Sequence, residues 1–208
     1  METMNKLKII YDDYEKWNYY DENDNKIYSK DSDGLEKYYE YDNKGNCINI
    51  KESNGFEKCL EYDSKGNCIY SKDTYGNEIW NEYDSEGNLI HIKKSVGLEI
   101  WNEYDSEGNL IHSKDTSEFE IWNEYDSEGN LIHSKDTLKQ EKWLEYDNKG
   151  RMIHFKNSDD YERYCEYDNK GNLTYFKTSD GYECQRSNKY DNKGNLIYYK
   201  ERNIINYF

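Results

Sequence analysis

Apolar and polar residues alternate along this chain in short runs, broken every few residues by a glycine. The clearest stretch reads EIWNEY over Glu99 to Tyr104, DSEGN over Asp105 to Asn109, and LIHSKD over Leu110 to Asp115. Six-residue runs rich in aromatic and β-branched side chains, separated by a Gly-containing turn, predict two antiparallel strands joined as a hairpin. In the turn, Asp opens D-x-x-G and the glycine takes the left-handed conformation that follows a type I turn. Gly45, Gly66, Gly87, Gly108, Gly129, Gly150, Gly171 and Gly194 all occupy that slot, whereas the first copy carries Asp24 there. A second turn, ending in Gly34, Gly55, Gly76, Gly97 or Gly181, leads to the next copy. A glycine every ten or so residues rules out a helical reading.

The hairpin repeats. Tyr-Asp pairs begin at Tyr20, Tyr41, Tyr62, Tyr83, Tyr104, Tyr125, Tyr146, Tyr167 and Tyr190, a spacing of 21 residues seven times and then 23. A fixed period of this size marks a repeat architecture in which each unit packs on its neighbours. The expected fold is all-β: a meander of about nine 21-residue hairpins in an elongated, twisted, single-layer sheet or β-solenoid-like strip. Residues 1–19 are expected to cap its start, with Leu7, Ile9 and Ile10 on one apolar strand. Residues 20–200 form one elongated repeat domain, and 201–208 an apolar cap in which Ile204, Ile205, Tyr207 and Phe208 cover the last edge strand.

Composition tempers this picture without reversing it. Of 208 residues only 34% are hydrophobic and 35% charged, mean hydropathy is −1.32 and proline is absent, values usual for disorder. The 24 tyrosines and five tryptophans held in register oppose disorder, so the expectation is a folded strip with a thin core.

A period turns positions into columns. Trp17, Trp80, Trp101, Trp122 and Trp143 share one, with Tyr38 and Tyr164, on the opposite face from the tyrosine of the Tyr-Asp pair. Cross-strand packing is its first role; a ladder of platforms for sugar rings or for a partner's anchor residues is the second. Lysines from Lys30 to Lys200 fill a column that a short loop places opposite a glutamate column running from Glu15 to Glu162. These pairs fix register while each contributes little stability. A further acidic column, Glu40, Glu61, Glu82, Glu103, Glu124, Glu145 and Glu166, is expected to face aliphatic neighbours. With the turn aspartates, Asp84, Asp105 and Asp126 among them, it forms a candidate negative stripe. His91, His112, His133 and His154 share one slot with Tyr28, Tyr70, Tyr175 and Tyr198, which points to aromatic packing; imidazoles a unit apart are too distant to share a zinc.

No nucleophile-base set, phosphate loop or metalloprotease motif is present. The turns also lack the alternating aspartates of a calcium loop. A repeated polar pattern does not build the single asymmetric constellation that catalysis needs, so the chain is expected to be non-enzymatic and to bind no cofactor or metal. Cys47, Cys59, Cys68, Cys165 and Cys184 form no CxxC pair and are odd in number, as suits reduced thiols. The first residues show no signal-peptide core and no run long enough to span a membrane, so a cytoplasmic location is expected. A net charge of −16 opposes direct nucleic-acid binding and favours a basic protein partner.

The unit G-x-E-x-W-x-E-Y-D-S-E-G-N-L-I, at Gly97 to Ile111, resembles the YD repeat of RHS-type proteins. Those repeats share the Tyr-Asp pair, the glycine four residues after the tyrosine, Asn or Arg next, and then an aliphatic residue. The resemblance covers about residues 14 to 200. It implies β-hairpin strips, which in large family members coil into shells around toxins or make cell-surface and carbohydrate contacts. Nine hairpins are too few to close a large shell, and no catalytic residue carries over. The functional expectation is an acidic, protein-binding repeat protein of bacterial or phage type. It would act as an inhibitor or immunity protein occluding a basic, nucleic-acid-binding partner, as an anti-CRISPR protein does. The alternative is a carbohydrate-binding or adhesin-type surface module. The candidate binding residues are Glu82, Glu103, Glu124, Glu145, Asp84, Asp105, Asp126, Trp80, Trp101, Trp122 and Trp143.

Overall fold

A computed structural model describes the backbone of residues 5–11, 14–190 and 196–205 and the side chains of residues 15–186. Every described element is a β-strand, and every described strand pair is antiparallel. The chain forms two compact units, Met1–Trp101 and Asn102–Phe208.

The first unit holds β1 (Asn5–Tyr11), β2 (Tyr14–Tyr20), β3 (Lys26–Asp31), β4 (Glu36–Tyr41), β5 (Cys47–Glu52), β6 (Glu57–Tyr62), β7 (Cys68–Asp73), β8 (Glu78–Tyr83) and β9 (Leu89–Lys94). It closes on the first half of β10 (Glu99–Tyr104), where Trp101 stands opposite His91. The second unit runs through β11 (Leu110–Asp115), β12 (Glu120–Tyr125), β13 (Leu131–Asp136), β14 (Glu141–Tyr146), β15 (Met152–Asn157), β16 (Glu162–Tyr167), β17 (Leu173–Thr178), β18 (Tyr182–Tyr190) and β19 (Leu196–Ile205). In both, successive strands are neighbours, as the 21-residue hairpin predicts. Ile204 and Ile205 extend β19 and pair with Glu183 and Tyr182 of β18. Tyr207 and Phe208 lie outside the described residues.

Where aspartate opens a turn, both turns of a unit use one device. Asp42 Oδ1 accepts the amides of Lys44 and Asn46, and its Oδ2 accepts Asn46 Nδ2 at 2.9 Å. The Gly45 amide closes on the Asp42 carbonyl at φ +85°. The second turn repeats it with Asp31, whose carboxylate accepts the amides of Asp33 and Leu35. Such side-chain-to-backbone bonds are why Asp and Asn open turns. Four residues other than glycine hold the left-handed slot: Asp24, Glu118, Lys139 and Asp160, at φ 58–63°. A side chain there costs about 1 kcal/mol. Lys139→Gly is therefore expected to raise stability by about 1 kcal/mol, seen as a higher urea midpoint at unchanged slope. A midpoint that stays or falls would show that the turn holds Lys139 without strain.

The role of the Tyr-Asp tyrosine follows from register. Within the β8–β9 hairpin, pairing runs from Ile79↔Lys94 to Tyr83↔Leu89, with a bulge between Glu82 and Tyr83. Between hairpins, β7 and β8 pair only from Lys72↔Glu78 to Tyr70↔Trp80, so that ladder stops short of Cys68. The Cys68 carbonyl is met instead by the Tyr83 hydroxyl at 3.1 Å and by Asn81 Nδ2 at 2.9 Å. Tyr125 and Asn123 do the same for Leu110, and Tyr41, Tyr62 and Tyr167 for Lys26, Cys47 and Met152. Each of these tyrosines thus closes the open end of the ladder to the preceding hairpin by donating to a carbonyl that the ladder leaves unpaired. Burial pushes the phenols of Tyr83 and Tyr125 up from their ordinary range, so they remain donors.

The core is as thin as composition suggests. Among the described residues the buried hydrophobic ones are Cys165 and Cys184, and the buried polar ones are Asn18, Ser29, Ser71, Ser134 and Thr178. All of these lie on the tyrosine face. Small side chains fill it, and larger ones stay half-buried around them.

Candidate functional site

The opposite face carries the tryptophans, histidines, lysines and two glutamate columns. Lys72 faces Glu78 and their side chains bond at 2.6 Å; Lys30 and Glu36, and Lys114 and Glu120, repeat the pair at 2.8 and 3.0 Å. Each of these glutamates has its carboxyl held below the usual carboxylate range, first by the lysine's hydrogen bond. The expected lysine–glutamate ladder is therefore present.

The second glutamate column is placed differently from its expectation. Glu82, Glu124 and Glu145 stand opposite His91, His133 and His154, and Glu61 opposite Tyr70, not opposite aliphatic residues. The bulge causes this. It adds one residue to the second arm, so the aliphatic pair after the turn meets the tyrosine and the next position meets the glutamate.

Each histidine is enclosed. The His112 ring stacks on Trp122 at 5.3 Å and 15°, its Nε2 lies 2.9 Å from Glu120 and its Nδ1 3.6 Å from Glu103. His91 stacks on Trp101 between Glu99 and Glu82, and His133 on Trp143 between Glu141 and Glu124. His154 stacks on Tyr164 at 4.3 Å. The histidine column is thus aromatic packing held by carboxylates. Among the described residues, the hydrogen bonds of these rings run to glutamates, with no hydroxyl or thiol placed for activation. Among the described residues no group of three or more His, Cys, Asp or Glu is arranged to hold a metal ion, and all five cysteines are free.

The candidate acidic stripe divides in two. Glu82, Glu103, Glu124 and Glu145 keep about two-thirds of their side chains in solvent, at 66–70% exposure. Asp84, Asp105 and Asp126 turn inward, each accepting two turn amides and an Asn side chain. Of the aromatic candidates, Trp80, Trp101 and Trp143 are exposed, while Trp122 is half-buried beneath Lys135.

Two further columns matter. The residue after each second-turn opener is Ser or Thr throughout, from Ser32 to Ser179. Its hydroxyl accepts the amide at the head of the hairpin's first arm, as Ser53 does from Glu36 and Thr74 from Glu57. The unbroken Ser/Thr column was readable in the sequence. The second is the third turn position, where Lys44 and Lys65 give way to Glu86, Glu107 and Glu128 before Lys149 and Lys170. Where lysine stands, its amine reaches the next turn, Lys44 to the Ser64 carbonyl and Lys65 to that of Ser85. Where glutamate stands, it bonds only the adjacent serine, as Glu107 does Ser106 and Glu128 does Ser127. In the second unit this leaves an open groove of about 610 Å³ between consecutive turns, lined by Asp105, Glu107, Asp126 and Glu128.

Comparison with protein-family models and with curated proteins gives no match. Among solved structures, the fold is similar to part of TcdB2-TccC3-TEV (TM-score 0.64, 17% identity), over 94% of this chain and 12% of that one. TcdB2-TccC3 aligns with a TM-score of 0.63 at 16% identity, over 90% of this chain and 12% of that one. The Photorhabdus luminescens Tc holotoxin pore aligns at 0.62 and 15%, over 88% and 13%. This chain therefore spans a small stretch of each neighbour, and at such identities the likeness is one of fold, a serial strip of antiparallel hairpins.

Proposed function

We propose that this chain is a non-enzymatic repeat module of the YD type that docks a protein partner through a basic surface. The observation that carries the reading is the turn edge of the central copies. There glutamate replaces the bridging lysine, and Asp105, Glu107, Asp126 and Glu128 line one open groove. On the broad face, by contrast, lysines already pair with one of the two glutamate columns. A net charge of −16 adds long-range attraction for a cationic partner. A protein that binds nucleic acid presents such a surface, and covering it would make this module an inhibitor or immunity protein.

Capture of host proteins on the immobilised chain, at about 50 and 300 mM salt, tests this, since groove-driven contacts weaken as the screening length shortens. The expected result is a basic, nucleic-acid-binding protein retained at low salt and released at high salt. Retention only of salt-insensitive or acidic proteins would refute the reading.

The exposed Trp80, Trp101 and Trp143 support a second reading, glycan binding on the aromatic row. Glycan-array signal lost in Trp101→Ala and Trp143→Ala would favour it.

A further inference from the structure

Among the described turns, the one after β9 lacks the side-chain cap that the others carry. Asp73 Oδ1 accepts the amides of Tyr75 and Asn77 at 2.9 and 3.0 Å, and Asp136 Oδ1 those of Leu138 and Gln140 at 2.8 and 3.0 Å. Where Glu52 or Thr178 opens the turn, Asn54 and Asp180, two residues on, accept the amides of Phe56 and Tyr182 instead. The turn after β9 opens on Lys94 and has Val96 two residues on, so neither position offers an oxygen. The Val96 and Leu98 amides have no acceptor among the described residues, and Lys94 pairs with no described carboxylate.

The backbone of this turn is nonetheless that of its sisters. The Lys94 amide donates to the Leu98 carbonyl at 2.8 Å and the Gly97 amide to the Lys94 carbonyl at 2.9 Å, with Gly97 at φ +87°. The Asp73 turn has 3.1 Å, 3.0 Å and +81° at the same places. Like backbones aim like amides, so Val96 and Leu98 point their N–H groups at the spot where one Asp73 oxygen sits. Converging amides of this kind make an anion-binding concavity, and Lys94 places a positive charge where the sister turns hold a negative one. The surface beside it is apolar: Val96 is 75% exposed, Tyr75 on the preceding turn 77%, and Phe56 lies 5.9 Å from the Tyr75 ring. The Ser95 hydroxyl, donating to the Gly76 carbonyl at 3.4 Å, holds the two turns side by side. Carboxylates of the flanking strands are engaged elsewhere, Glu78 by Lys72 and Glu99 by Lys93.

We propose that the Lys94–Leu98 turn, with Tyr75 beside it, binds the terminal carboxylate of a partner peptide that ends in an apolar residue. One carboxylate oxygen accepts the Val96 and Leu98 amides, Lys94 supplies the counter-charge, and the terminal side chain packs on Val96 and Tyr75. A chain terminus suits the spacing, because its carboxylate and side chain leave the same carbon while the amide and apolar side chain of Val96 lie equally close. The net charge of −16 is a weak barrier to one carboxylate, since screening confines its reach to about 10 Å at 0.1 M salt. The site uses second turns of the first unit and is separate from the acidic groove between first turns.

The test is a titration of the full, ¹⁵N-labelled chain followed by amide NMR at matched ionic strength. The probe is N-acetylleucine, with neutral N-acetylleucinamide and acetate as controls. N-acetylleucine is expected to move the Val96 and Leu98 amide protons downfield to saturation, while those of Tyr75 and Asn77, already held by Asp73, stay in place. Acetate should act on the same two amides with affinity lower by about threefold or more, and the neutral amide not at all. Lys94→Asp installs the residue that opens the sister turns at Asp73 and Asp136, so the fold is kept, as unchanged circular dichroism would verify, and the response should vanish. Lys94→Met, which removes only the charge, should weaken binding by about threefold or more. Absence of a saturable shift at Val96 and Leu98, an equal response to the neutral amide, equal affinity for acetate, a response that survives Lys94→Asp, or full affinity in Lys94→Met would each overturn the assignment.

Discussion

Tyr125→Ala is expected to destabilise the second unit by about 3 kcal/mol, and Tyr125→Phe by about 1 kcal/mol. Tyr125 is half-buried on its face and its hydroxyl donates to the Leu110 carbonyl at 3.0 Å. Alanine removes the ring that fills the splayed end of the ladder, and with it the hydrogen bond. Phenylalanine keeps the ring and removes only the bond, and Asn123 still serves the same carbonyl at 2.9 Å. Urea midpoints should fall in that order with little change of slope. Equal losses would mean that the hydroxyl dominates. A loss under about 0.5 kcal/mol for alanine would mean that the tyrosine does not join consecutive hairpins at all.

The second large effect is acid sensitivity. The carboxyls of Asp42, Asp63, Asp84, Asp105 and Asp126 are held below the ordinary aspartate range, first by the Asn side chain four residues on. The Arg151 side chain, bonded from Nε at 2.7 Å, draws Asp147 down to about 2. A carboxyl with a depressed folded value binds its proton more readily in the unfolded chain. It therefore contributes stability above its unfolded value near 4, and that contribution is lost as pH falls through the folded value. Melting temperature should consequently drop steeply between about pH 4 and pH 2. Asp147→Asn should flatten the lowest part of that drop, since Asn can still accept turn amides, as Asn157 does from Asp159 and Tyr161. A melting temperature that holds or rises from pH 4 to pH 2 would contradict the role given to the turns.

Much of this architecture was legible because a strict period leaves few alternatives. The arms Glu99–Tyr104 and Leu110–Asp115 coincide with β10 and β11, and the left-handed glycines and lysine–glutamate pairs occur where alternation and turn chemistry place them. The bulge was not legible. One extra residue before His91 moves Glu82 from an aliphatic neighbour to an imidazole, and no local preference marks the shift. The tyrosine's partner was hidden for a related reason. It is a backbone carbonyl in the preceding hairpin, freed only because the inter-hairpin ladder ends early. At the candidate site, the acidic column and the aromatic row were read as positions. Which acids remain unused depended on contacts: turn amides absorb Asp105 and Asp126, while the tips Glu107 and Glu128 stay open. The Lys-to-Glu change at the turn tip was in plain view but gained meaning only once Lys44 was seen bridging to Ser64.

The central functional claim is that the turn-edge acids, and not the aromatic row, meet the partner. The most direct measurement is the affinity of the captured basic partner for the double variant Glu107→Lys/Glu128→Lys and for Trp101→Ala/Trp143→Ala, at low salt and with folding verified by circular dichroism. The account predicts that charge reversal weakens binding by at least about tenfold and erases most of its salt dependence, while the tryptophan pair changes it by less than about threefold. Full affinity in the charge-reversed variant, with loss in the tryptophan variant, would contradict it.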